Sequence, residues 1–111
     1  MPMKMLTREL LERFKKVGRQ EGNKDPLVIA KFFYPAGRAT WYATEYDPET
    51  RTFFGWASLF GDHNDEWGSF SLDELREFRG RFGLGIERDL HFGERPISQV
   101  VPMAVAESLR A

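Results

Sequence analysis

The most constraining feature of this 111-residue chain is a central run of three strand-like segments separated by two short proline turns. Leu27 to Phe33 is rich in β-branched and aromatic residues and ends at Tyr34-Pro35-Ala36-Gly37. Ala39 to Tyr46 alternates, with Trp41, Ala43 and Glu45 on one side and Thr40, Tyr42, Thr44 and Tyr46 on the other. Asp47-Pro48-Glu49-Thr50 then turns the chain into Thr52 to Phe60, where Gly55 marks a bulge or a close approach of backbones. Connections this short favour an antiparallel meander, because parallel strands need long crossovers.

Helical patterns flank the meander. Thr7 is placed as an N-cap, Leu6 and Leu11 as a hydrophobic staple, and Leu10, Leu11, Phe14 and Val17 as an apolar stripe ending at Gly18. Ser71-Leu72-Asp73-Glu74 is a capping box opening a second helix, with Leu72, Leu75 and Phe78 on its apolar side and Gly80 as its stop. Gly61 to Trp67 reads as an acidic loop, Gly68 to Phe70 as a short strand, and Ile86 to Phe92 as a last strand. The expected architecture is α+β: an antiparallel sheet of four to five strands packed by one or two helices. Residues 1–111 form one domain, its core about 5–100 and 101–111 a C-terminal tail.

Composition bounds the chemistry. Fourteen per cent aromatic content is too high for a disordered chain. A net charge of −1 argues against a bulk basic footprint for nucleic acid. Zero cysteines remove disulfides, thiolate metal sites and cysteine nucleophiles. No run approaches the roughly 18 apolar residues of a membrane span, and no leader pattern opens the chain, so a cytoplasmic location is expected.

The familiar motifs fail on inspection. Asp62-His63-Asn64-Asp65-Glu66 is acidic enough for calcium, but Trp67 holds the obligatory glycine position and Asp73 the position of the closing glutamate. Gly83-Leu84-Gly85-Ile86-Glu87-Arg88 lacks the third glycine of a dinucleotide fingerprint and follows a helix rather than a strand. Glu87, Asp89 and His91 share one strand face, too spread for a single ion, and no serine sits in a nucleophile elbow. The reading is therefore no catalytic residue, no metal site and no cofactor. Exposed rings beside a basic groove would favour a nucleic-acid module instead, yet Lys31, Arg38 and Arg51 are the only bases in the meander.

Charge is unevenly spread. Residues 1–24 carry seven basic and three acidic side chains, while 61–75 carry five acidic and no basic ones. Asp62, Asp65 and Glu66 beside Trp67 form a candidate partner-binding region, an aromatic anchor with a charged rim. Alternation through Ile86 to Leu90 places Arg88 on the apolar side, where a guanidinium needs a carboxylate; Glu45, on the Trp41 and Ala43 side, is the expected structural partner.

Several blocks carry a family resemblance: Lys31-Phe32-Phe33-Tyr34-Pro35, Trp41 to Asp47, Phe53-Phe54-Gly55, Gly68 to Leu75 and Ile86 to Leu90, with Leu6 to Leu10 at the start. In this order they resemble domain-of-unknown-function family 2958 over roughly residues 5–100. His91 stands where a tyrosine would be expected. The resemblance implies a small bacterial or phage domain carried on plasmids and other mobile elements, without catalytic residues to transfer. It further implies an accessory protein that binds a protein partner such as host restriction or CRISPR machinery, as a monomer or small homo-oligomer. A nucleic-acid-binding module and a metal-dependent hydrolase or nuclease are the alternatives.

Overall fold

A computed structural model describes residues 4–60 and 65–105. Its helix α1 (Arg8–Val17) begins where Thr7 Oγ1 accepts the amide of Leu10 and ends where Gly18, at φ 70°, donates to the carbonyl of Phe14. Leu10, Phe14 and Val17 turn inward, whereas Leu11 is 38% exposed and drops out of the expected stripe. Strands β1 (Leu27–Val28), β2 (Ala30–Phe33), β3 (Thr40–Asp47), β4 (Thr52–Ser58) and β5 (Glu66–Ser71) follow. Helix α2 (Leu72–Glu77) starts at the Ser71 cap, whose Oγ accepts the amide of Glu74. It stops at Glu77 rather than reaching Gly80. Two short strands close the chain, β6 (Glu87–Arg88) and β7 (Arg95–Pro96).

The fold is α+β. A five-stranded antiparallel sheet runs in the order β5-β4-β3-β2-β6, and β1 pairs with β7 in a separate two-stranded ribbon. The meander is in place, but its first run is split. At Ile29 the chain changes sheets: Val28 joins one core and Ile29 and Ala30 the other. The last strand is also shorter than its pattern. Asp89 caps a turn by accepting the amide of His91 at 2.9 Å, so the ladder ends and Leu90 is 59% exposed.

Both faces of the sheet are covered. On one, α1 and α2 pack over a cluster centred on Phe53, whose ring lies 4.8–5.7 Å from those of Phe14, Phe32, Tyr46 and Phe70. On the other, Trp56 and Val28 are buried under Ile97 and Ala104, with residues 102–105 helical. Each fully buried large apolar side chain contributes about 1.5–3 kcal/mol, so residues 97–105 form a third layer.

A β-bulge sets the site. Ala43 pairs with Gly55 and Glu45 with Phe54, leaving Thr44 as the extra residue. Bulged backbone groups need other partners. Thr44 Oγ1 donates to Phe54 O at 3.1 Å, and buried Gln20 donates through Nε2 to Thr44 O at 2.8 Å. The same Nε2 reaches Leu27 O at 2.9 Å, while Gln20 Oε1 accepts the amide of Leu27 at 2.7 Å. One glutamine thus stitches the 18–26 loop to the bulge.

Candidate functional site

The bulge inverts the alternation beyond Ala43. Tyr46 joins Trp41 and Ala43 on the helical face, and Glu45 moves to the opposite one. There its Oε2 accepts the amide of Gln20 at 2.9 Å. Arg88 does lie on the helical face, directly across from Phe32, and its Nε donates to Lys4 O at 2.9 Å. The expected Glu45–Arg88 pair is therefore not formed. Arg88 aligns with Trp41 through Phe32, so Glu45 lies roughly 13 Å along the strands and two strand spacings across.

The acidic region is likewise rearranged. Asp62 and His63 lie outside the described residues. Glu66 and Trp67 belong to β5 rather than to a loop, because Glu66 to Ser71 pairs residue for residue with β4. Glu66 is exposed. Trp67 is half-buried and turned inward: its Nε1 donates to Ala104 O at 3.0 Å and its ring stands edge-on to Trp56. Asp65 Oδ1 is buried with no hydrogen-bond partner among the described residues. Burial pushes the Tyr42 hydroxyl up from its ordinary pKa, and the nearby Asp65 charge pushes the same way. Asp73 is tied to Arg51, whose Nη2 donates at 2.7 Å; that hydrogen bond, helped by the Arg51 and Arg76 charges, outweighs the opposing effect of desolvation and lowers the Asp73 pKa.

Lys31 meets Asp89 at 3.6 Å and lies over the Tyr42 ring, so Asp89 serves a strand contact rather than a row with Glu87 and His91. Among the described residues, no group of three or more His, Asp and Glu side chains is placed to hold a metal ion. No described helix is long and apolar enough to cross a membrane.

Among the described residues two depressions stand out, one on each face. On the helical face, an apolar groove of about 430 Å³ runs between α2 and the far end of the sheet, walled by Trp41, Leu59, Phe60, Phe70, Leu75 and Phe78. Phe60 is 67% exposed, Leu59 and Phe78 each 45%. Tyr34 fixes its floor by meeting Phe78 edge-on and by accepting the amide of Arg81 at 2.6 Å. On the other face, a cleft of about 820 Å³ opens between the 18–26 loop and the β3–β4 hairpin. Glu45, Asp47, Phe54 and Ser69 line it, and Phe54 stacks on Trp67 with ring centroids 5.9 Å apart and planes 8° from parallel.

Gln20 and Leu59 stand in no sequence motif, whereas Phe54 belongs to the Phe53-Phe54-Gly55 block. Gln20 sits in a polar loop that carries no periodic signal. The pairing of Phe53-Phe54 with Trp56 does carry one, because apolar residues on both faces of a strand indicate a sheet covered on both sides.

The model of one family, described as a protein of unknown function (DUF2958), matches residues 4–109. The match takes in the C-terminal segment that the motif blocks leave out. No curated protein matches the chain. No solved structure matches it.

Proposed function

We propose, on the premise that this chain belongs to the DUF2958 family, that it is a protein-binding module whose partner docks in the apolar groove beside α2. The groove itself is the supporting observation. Leu59, Phe60 and Phe78 form a contiguous exposed apolar wall in a chain that is 30% charged, and such patches mark interaction surfaces. Its two walls Leu59–Phe60 and Phe70–Leu75 flank or belong to the stretch 61–75, which holds five acids and no base. The fitting partner offers an apolar ridge with basic side chains beside it, toward Glu66 and Glu74. The wider setting, an accessory protein of mobile elements acting on host defence machinery, is implied by the family resemblance and is compatible with action by binding alone.

The test is capture of a partner from host lysate with nuclease present, followed by titration of the purified partner. Leu59→Asp/Phe60→Asp is expected to weaken binding at least about tenfold, the range of a lost apolar hot spot. Reversal of Asp62, Asp65 and Glu66 to lysine is expected to weaken binding and flatten its salt dependence. Phe54→Ala, on the other face, serves as control. Undiminished affinity in the groove variant, with a wild-type melting curve, overturns the proposal.

A further inference from the structure

The cleft on the opposite face has a different chemistry, and we propose that it binds a planar cation, a guanidinium group, stacked on Phe54 and paired with Glu45 and Asp47. The register dictates the arrangement. Phe54 lies directly across from Ser69 on one side and from Glu45 on the other. Trp67, two residues from Ser69, covers one flat side of the Phe54 ring. The uncovered side therefore looks along the strand toward Thr52 and its cross-strand neighbour Asp47. Phe54 is 38% exposed.

A flat group entering the cleft becomes the third layer of a stack whose first two are Trp67 and Phe54. Carboxylates stand at its edge. Glu45 is held by the Gln20 amide at Oε2, and Asp47 by the Glu49 amide at Oδ1, 2.9 Å in each case. Each carboxylate thus has its position fixed by the backbone and retains a second oxygen for a ligand. The ring face attracts a cation through its quadrupole, and carboxylates accept a guanidinium through paired N–H bonds. A compact ammonium cannot stack, which makes guanidinium the preferred ion. On the facing lip stand Lys15 and Arg19, the latter paired with Glu21 at 3.4 Å on the exposed surface.

A guanidinium can come from an arginine on a polypeptide or from a small free molecule, and titration separates the two. The full chain is titrated at low ionic strength with N-methylguanidinium, N-methylammonium, agmatine, and the peptides Gly-Arg-Gly and Gly-Lys-Gly, followed by calorimetry and tryptophan fluorescence. Saturable binding of each guanidinium probe is expected, with N-methylguanidinium and Gly-Arg-Gly each at least about threefold tighter than its ammonium match. Phe54→Leu and Glu45→Gln are each expected to weaken it at least about threefold. Glutamine keeps the acceptor for the Gln20 amide; if that variant melts early, Asp47→Asn at the exposed hairpin end makes the same test. Tighter binding of the arginine peptide assigns the site to a partner's arginine, tighter binding of agmatine to a free guanidine. Absence of saturation, equal affinity for ammonium, or undiminished binding by a folded Phe54→Leu protein overturns the proposal. The groove variant Leu59→Asp/Phe60→Asp leaves this binding unchanged, so the two sites stand or fall separately.

Discussion

Gly55 and Gly68 face each other across β4 and β5, yet their replacement by alanine should give opposite results. A Cβ built on Gly55 falls 1.8 Å from Tyr42 O, 2.8 Å from Tyr42 C and 3.0 Å from Ala43 Cα. All three are backbone atoms of β3, so no rotamer change relieves the overlap. The strands must separate by about 1 Å or more beside the bulge, breaking ladder bonds and loosening the fit of Phe53. Such a clash belongs with the most damaging single substitutions, about 4 kcal/mol or more. Domains of this size have about 5–15 kcal/mol in total, and each kcal/mol shifts Tm by about 4–8 °C. Gly55→Ala is therefore expected to melt at least about 15 °C below wild type, or to fail to fold. A Cβ at Gly68 meets nothing within 4 Å, so Gly68→Ala should be neutral or stabilise by up to about 1 kcal/mol through reduced unfolded-state entropy. Both are read by thermal unfolding followed by near-UV circular dichroism. A Gly55→Ala protein melting within about 3 °C of wild type, a shift worth under 1 kcal/mol, would refute the close approach of β3 and β4.

Gln20→Leu should cost about 2–3 kcal/mol in chemical denaturation, because the Thr44 carbonyl and both backbone groups of Leu27 lose their partner. Trp67→Phe should leave the sheet intact but speed amide exchange over residues 101–105, since the bond to Ala104 O is lost. The Asp73 pKa is lower in the folded protein than in the unfolded chain, so its bond to Arg51 adds stability above the unfolded value near pH 4 and loses it as pH falls through the folded value. Asp73→Asn should accordingly flatten the acid limb of the stability-pH curve while leaving its slope near neutrality unchanged. In a fluorescence-anisotropy titration at about 150 mM salt, duplex DNA should show no sub-micromolar binding, as expected of a chain with net charge −1.

Local chemistry made the caps and turns readable. Thr7, Gly18 and Ser71 mark helix ends through their own side chains or backbone freedom, and the prolines at 35 and 48 mark the turns of the meander. Gly55 pointed to a bulge or close approach at this place, but that Thr44 on the facing strand is the extra residue was not legible, because nothing local distinguishes it from its neighbours. That single residue turned Glu45 to the face opposite Arg88, into the cleft. Asp89 was hidden in the same way: in isolation it continues an alternating strand, while its carboxylate in place turns the chain. Trp67 looked like an anchor for a partner because its neighbours are acidic. Its internal role depends on Ala104, distant in sequence and brought near only by the fold.

The ribbon of β1 with β7 has a consequence for how the chain acquires its structure. Leu27 pairs with Pro96, and Asp25 accepts both the amide and the hydroxyl of Ser98, so early and late segments are joined over most of the sequence. The meander, with its short connections, can assemble while synthesis is still under way. The Trp56 side stays bare until Ile97 and Ala104 have left the ribosome. During that interval the nascent chain exposes an apolar surface that is a target for chaperones and, without them, for aggregation. A stop codon or cleavage just before Ile97 would leave the molecule permanently in that half-dressed state, though every strand of the main sheet would be present.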